Sequence, residues 1–119
     1  MPASQLSAEN DELVVSDDGS LDDTVNVLNS YNDQRVKDFS SIGHGGVTRD
    51  FENALYKAKG GYIFLADQDD VWLPCKVELC VNALQVHQVV VTNCCVTDRS
   101  LKVVNESYFR MWGSSRGVV

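Results

Sequence analysis

Two acidic stretches hold the side chains best suited to chemistry in this chain. Ser16-Asp17-Asp18-Gly19-Ser20 follows a short apolar run, and Asp67-Gln68-Asp69-Asp70 follows a longer one. Carboxylates that converge on one rim are hard oxygen donors, suited to Mg2+ or Mn2+. A cation held there neutralises a pyrophosphate and stabilises it as a leaving group. An Asp-Asp pair standing alone reads more simply as a solvated turn or a helix cap. The second stretch resists that reading. An apolar run leads straight into its three acids and then into Trp72, and an acid buried beside an apolar core is costly without a partner.

Other motifs fail on their own chemistry. A calcium loop starting at Asp67 finds Glu78 at its last position, but Trp72 stands where the glycine is required and Pro74 opens a helix inside the loop. Gly43-His44-Gly45-Gly46 lacks the third glycine of a dinucleotide fingerprint, and no phosphate-binding lysine follows it. Cys75, Cys80, Cys94 and Cys95 form no C-x-x-C pair and no zinc spacing, and they read as free thiols of a reducing compartment, hence a cytoplasmic protein. His44 and His87 have no second ligand nearby.

The 119 residues carry 17 Asp and Glu against 10 Lys and Arg, a net charge of -7. That balance excludes a general nucleic-acid binder, which needs a basic face to neutralise phosphates. An anionic nucleotide needs a bridging cation here. No apolar run approaches the roughly 20 residues of a membrane span, and the first residues show no charged-then-apolar leader pattern. The length allows one domain at most.

The elements that must position the acids alternate. Leu13-Val14-Val15 predicts a short strand ending in the polar turn at 16–20. A helix follows, capped by Ser20 or Asp22 with acids in its first turn, and Val25, Leu28 and Tyr31 share its buried side. Residues 35–39 predict a strand and 42–46 a flexible loop. From Thr48, Phe51, Ala54, Leu55 and Ala58 recur at helical spacing until Gly60-Gly61. Tyr62-Ile63-Phe64-Leu65-Ala66 reads as a strand buried on both faces. Leu73-Pro74 opens a helix with Val77, Cys80, Val81 and Leu84 on its apolar stripe. Residues 89–96 predict another strand and 101–109 a hairpin. Repeated strand–helix–strand units imply an α/β fold with a mostly parallel sheet, whose ligands bind beyond the carboxyl ends of the strands. Both acidic stretches fall at that end.

The stretch from Asp11 to Ser20, with Asp22-Asp23-Thr24, resembles the second strand and turn of family 2 glycosyltransferases, which are inverting and of the GT-A type. Ile63-Phe64-Leu65-Ala66-Asp67-Gln68-Asp69-Asp70-Val71-Trp72-Leu73-Pro74 resembles their strand, DxD motif and following helix, in the form of the rhamnosyltransferase-like bacterial subgroup. Gly46-Val47, Phe51-Glu52 and Ala54-Leu55 fit the intervening loop and helix. The resemblance implies a partial GT-A, Rossmann-like fold over 1–119, a nucleoside-diphosphate-sugar partner, an Mn2+ or Mg2+ cofactor and a place in polysaccharide biosynthesis. By resemblance Asp18, beside Asp17, contacts the nucleotide base. Asp69 is the principal metal ligand and Asp67 the first acid of the motif. Asp70 orients the loop or touches the donor sugar, and Arg49 contacts the diphosphate.

The family's first strand and helix have no counterpart before Asp11, and Gln5-Leu6-Ser7 is similar to the tail of that helix. The family's general base lies well beyond the DxD motif. Asp98 and Glu106, the only acids in the later part of the chain, read as strand-end and hairpin residues. These departures imply a segment truncated at both ends and inactive by itself, with apolar strand edges open to self-association. A non-catalytic nucleotide or metal-binding module and an edge-strand interaction protein stand as alternatives.

Overall fold

The computed structural model describes Leu6, residues 8–40, Gly43 and residues 45–113. Gln5, Ser7, Ile42 and His44 lie outside the described residues. Two compact units divide the chain, Met1–Pro74 and Cys75–Val119.

The first unit is built on a strand–helix–strand crossover. β1 (Leu13–Val15) and β2 (Val36–Asp38) pair in parallel, with Leu13 opposite Val36 and Val15 opposite Asp38. Leu13 N–H donates to the Arg35 carbonyl and Phe39 N–H to the Val15 carbonyl, each at 2.9 Å. Branched apolar residues favour this pleated, half-buried surface. Between the strands runs α1 (Thr24–Ser30), with Val25, Leu28 and Tyr31 half-buried as their spacing predicts. The expected cap differs. α1 begins after Asp23 with no side-chain cap and no acid in its first turn. The Ser20 hydroxyl is instead turned onto Asp17, and Asp22 accepts the Thr24 N–H at 3.0 Å.

α2 (Val47–Lys57) starts from Gly46 and half-buries Phe51, Ala54 and Ala58, whereas Leu55 is exposed. It stops at Lys57, short of the two glycines, because Ala58 turns to an extended conformation. There Glu12 Oε1 accepts the N–H groups of Lys59 at 2.5 Å and Gly60 at 3.2 Å, joining the end of α2 to the start of β1.

The segment 62–66 corrects the sequence reading. It joins no strand pair, and Ile63 and Leu65 are 52% and 63% exposed. A strand is buried on both faces only within a sheet whose two faces are covered by other elements. Among the described residues the sole parallel pair is β1 with β2. The wider parallel sheet expected around it is not formed there.

In the second unit α3 (Lys76–Leu84) buries Cys80 and half-buries Val77, Val81 and Leu84, as the stripe predicts. The strand expected over 89–96 survives only as β3 (Val96–Thr97), antiparallel to β4 (Val103–Asn105) across an irregular register. Val89 and Val91 are exposed. The segment before β3 serves a short helix instead, α4 (Tyr108–Met111), where a hairpin was expected to continue. Phe109 N–H donates to Asn93 Oδ1 at 3.0 Å and Tyr108 N–H to the Cys94 carbonyl at 2.9 Å. Buried Ser107 caps α4 by accepting from Arg110 N–H, and Asn93 Nδ2 donates to the same hydroxyl at 2.9 Å. All four cysteines are free. No helix among the described residues is long and apolar enough to cross a membrane.

The ladder bonds order the expected protection. The amides of Leu13 and Phe39 should exchange slowly, and those of Ile63 and Leu65 near the rate of an open chain. Hydrogen exchange resolved by residue checks this. Protection across 62–66 equal to that at Leu13 would show that the segment has found a strand partner.

Candidate functional site

Because β1 and β2 are parallel, the turns that follow them leave the same end of the pair. That end gathers the first acidic turn and the start of α2. Ser16 Oγ accepts from Asn53 Nδ2 at 2.9 Å and donates to Asp50 Oδ1 at 3.4 Å. Asn53 Nδ2 also reaches the Phe39 carbonyl at 3.2 Å, so one amide of α2 bridges the ends of both strands. The Lys57 ammonium stands 5.6 Å from the centroid of the Phe39 ring.

The two acids of the turn have separate tasks. Asp17 folds back on its own loop, accepting the N–H groups of Gly19 at 3.0 Å and Ser20 at 2.7 Å, together with the Ser20 hydroxyl. The Ser20 hydroxyl, then the Ser20 N–H, holds the Asp17 carboxyl below its ordinary range. Asp18 reaches across to the loop before α2. Its Oδ1 accepts Gly43 N–H at 2.6 Å, and its Oδ2 accepts Gly45 N–H at 3.1 Å and Gly46 N–H at 3.3 Å. These glycines have φ of 99°, 87° and 103°, a region that side chains disfavour. The Arg49 side chain runs beside Gly45, with Cδ 3.7 Å from where a Cβ would stand on that glycine.

The second acidic stretch forms a turn of its own, in which Asp70 N–H donates to the Asp67 carbonyl at 3.3 Å. The Asp67 carboxylate accepts the Gln68 N–H at 3.0 Å, and Asp67, Asp69 and Asp70 are exposed. The rings of Phe64 and Trp72 meet across this turn at 6.0 Å between centroids. Among the described residues, no group of three or more His, Cys, Asp or Glu side chains is gathered to hold a metal ion. The structure therefore does not bring the two acidic stretches into one ligand set. The donor chemistry still fits a hard cation. Mg2+ is commonly held by one or two carboxylates, with substrate phosphates and water completing its shell.

Asp98 and Glu106 stand where the sequence places them. The Asp98 carboxylate accepts Ser100 N–H at 2.8 Å and Lys102 N–H at 3.1 Å, fixing the turn between β3 and β4. Glu106 links β4 to α4. Two surface depressions lie elsewhere, one lined by residues between Leu28 and Asp38, the other by Glu9 to Glu12, Asn32 to Arg35 and Lys37. The second adjoins the amino ends of β1 and β2, the wrong end for a ligand of a parallel pair. Neither contains a candidate residue.

Ser16, Asn53 and Glu12 are structural partners of the site that sequence reasoning missed. Asn53 left a signal, since it is a weak helix former amid the apolar spacing of α2.

The sequence model described as "Glycosyl transferase family 2" matches residues 3–115. An uncharacterized glycosyltransferase of Haemophilus influenzae is 32% identical over 108 residues, covering 85% of this chain and 43% of the relative. The Escherichia coli protein UDP-Glc:alpha-D-GlcNAc-diphosphoundecaprenol beta-1,3-glucosyltransferase WfaP is 31% identical over 81 residues, covering 68% of this chain and 32% of its own length. A chondroitin synthase of Pasteurella multocida is 39% identical over 73 residues, covering 60% of this chain and 8% of that protein. The chain thus spans less than half the length of these relatives. No solved structure gives a significant match.

The lowered Asp17 carboxyl sets a pH dependence. A group whose pKa falls on folding contributes stability above its unfolded value, and that contribution is lost as pH drops through the folded value. Asp17→Asn should therefore destabilise the chain at pH 7, with the difference from wild type shrinking as pH falls below about 4. Urea midpoints across that range check it. A difference that stays constant with pH would mean that the Asp17 charge plays no part.

Proposed function

Since the chain belongs to glycosyl transferase family 2, we propose that it is the donor-binding portion of an inverting, metal-dependent enzyme. That enzyme moves a sugar from a nucleoside diphosphate to an acceptor hydroxyl. The family match over residues 3–115 carries the reading. The meeting of Asp18, three glycines and α2 at the carboxyl end of a parallel strand pair supports it. So do the relatives whose names describe sugar transfer and polysaccharide synthesis.

In this reading the whole chain is one partial GT-A domain whose sheet is completed by further strands. It works in the cytoplasm. Asp17 and Asp18 border the nucleotide, and Arg49 meets the diphosphate. Asp69, with Asp67, holds Mn2+ or Mg2+ against the phosphates, and Asp70 faces the donor sugar or orders its loop. The cation supplies charge neutralisation of the leaving diphosphate. The exposure of the turn at 67–70 leaves its carboxylates open to a cation that arrives with the nucleotide.

The donor in the printed name of the Escherichia coli relative makes UDP the first probe. UDP should bind with Mn2+ and not with EDTA, and Asp69→Ala should abolish the metal-dependent part, read by calorimetry. Sugar transfer by this chain alone should be undetectable, because a missing general base removes about 10²- to 10⁴-fold in rate and Asp98 is engaged in its own turn. Equal UDP binding with and without metal would sink the metal-dependent reading. Robust transfer lost in Asp98→Ala would identify a base within this chain.

Self-association through the segment 62–66 is supported by its apolar course outside both strand pairs and by the exposure of Ile63 and Leu65. Light scattering should show mass rising with concentration, and Ile63→Lys should suppress the rise. A monomer at every concentration would remove this partner from the reading.

A further inference from the structure

We propose that the tip of the β3–β4 hairpin, Arg99 to Lys102, attaches the chain to an anionic lipid surface, with Leu101 as its apolar anchor. The proposal uses residues of the second unit alone and is independent of the donor-binding reading.

The backbone of the tip carries the first observation. Asp98 N–H donates to the Lys102 carbonyl and Leu101 N–H to the Asp98 carbonyl, each at 3.0 Å. The Asp98 carboxylate accepts Ser100 N–H at 2.8 Å and Lys102 N–H at 3.1 Å. These bonds close a three-residue loop, a form whose last residue is left-handed and ordinarily glycine. Leu101 stands there instead, with φ of 61°, and among the described residues no other residue besides glycine has a positive φ. A bulky side chain is disfavoured in that region. Burial does not compensate, because Leu101 is 63% exposed. Strain held at an exposed position points to a role outside the fold.

Charge identifies the partner. Arg99 and Lys102 stand on either side of Leu101 and are exposed. Among the described residues neither is in an ion pair. The acid of the tip, Asp98, has its carboxylate on the amides of its own turn. The whole chain is divided in the same sense. Residues 75–119 carry five Lys and Arg against three Asp and Glu, whereas residues 1–74 carry five against fourteen. Such asymmetry between halves marks an electrostatic partner, and the tip lies in the half that an anionic surface attracts.

Size favours lipid over an acidic protein. A specific protein interface draws on about 20–30 residues a side, far more than a hairpin tip supplies. A bilayer boundary accepts one apolar side chain between long cationic ones. Their stems lie along the apolar region while the charged heads remain among the headgroups.

Flotation of the whole chain with vesicles tests the proposal, since bound protein rises and self-associated protein sinks. The vesicles are phosphatidylcholine alone, or phosphatidylcholine mixed with phosphatidylglycerol. Wild type should float with the mixed vesicles and not with the neutral ones, and less as salt rises. Arg99→Gln and Lys102→Gln should each weaken binding about fivefold. Leu101→Gly should weaken it about tenfold while leaving the urea midpoint unchanged or higher, because glycine suits the left-handed position. That combination separates a lost anchor from a lost fold.

Equal flotation with both kinds of vesicle, or with neither, would overturn the proposal. So would a Leu101→Gly chain that floats as well as wild type. Should that variant lower the midpoint, Leu101→Asn takes its place, since asparagine also tolerates the left-handed region; undiminished flotation there would count equally against the anchor. Capture of wild type by poly-glutamate, with no flotation on the mixed vesicles, would assign the tip to an acidic protein and remove the lipid surface.

Discussion

Two strands of three residues cannot hold each other. A lone two-stranded pair is marginal in water even when longer, so the β1–β2 pair depends on side chains that grip backbone at both of its ends. At the amino end the Arg35 guanidinium is paired with Asp33 at 2.7 Å and donates to the carbonyls of Leu6 and Ala8. The Arg35 side chain lowers the pKa of Asp33 to about 2. At the carboxyl end Asn53 binds Ser16 and Phe39, and Asp18 binds the glycine loop. Glu12 closes the circuit by holding the chain just beyond α2. The parallel pair persists because its connections are tied, and the candidate site lies among those ties.

This arrangement gives the acidic composition a structural meaning. Glu12, Asp17, Asp18, Asp22, Asp38 and Asp98 all accept backbone N–H groups from nearby turns or neighbouring loops. Carboxylates at such positions replace missing ladder and helix partners for amides that regular structure does not satisfy. Much of the chain's negative charge is therefore internal scaffolding. In the turn at 67–70 Asp67 does the same for the Gln68 N–H, and Asp69 and Asp70 beside it are exposed.

The sequence was most legible where a signal was local. The spacing of Val25, Leu28 and Tyr31 located α1, that of Phe51 and Ala54 located α2, and that of Val77, Cys80 and Leu84 located α3. The reading failed where an element depends on a neighbour. Nothing in Tyr62-Ile63-Phe64-Leu65-Ala66 states whether an edge is available to pair with it, and the same holds for 89–95. Hydrophobicity marks a capacity for burial, and the partner decides whether it is used. Within the site, the motif gave Asp18 the contact with the base and Asp17 a place beside it, and said nothing of the bonds each makes within the chain. One bonds its own turn and the other a loop far along the chain, a division set by tertiary contact. Asn53 carried only the faint mark of a weak helix former inside α2, and its partners Ser16 and Phe39 are fixed by tertiary contact.

The ring contact beside the second acidic turn has an optical consequence. Trp72 lies two residues beyond Asp70 and packs against Phe64 on the other side of the turn. Any change in the shape of the turn must alter the surroundings of that indole, and indole emission responds to its surroundings. The other tryptophan, Trp112, sits beside Tyr108 in the second unit. With Trp112 replaced by phenylalanine, the remaining indole emission would come from Trp72 alone. The protein thus carries its own fluorophore next to the exposed carboxylates of its second acidic turn, and conformational events there can be followed without a label.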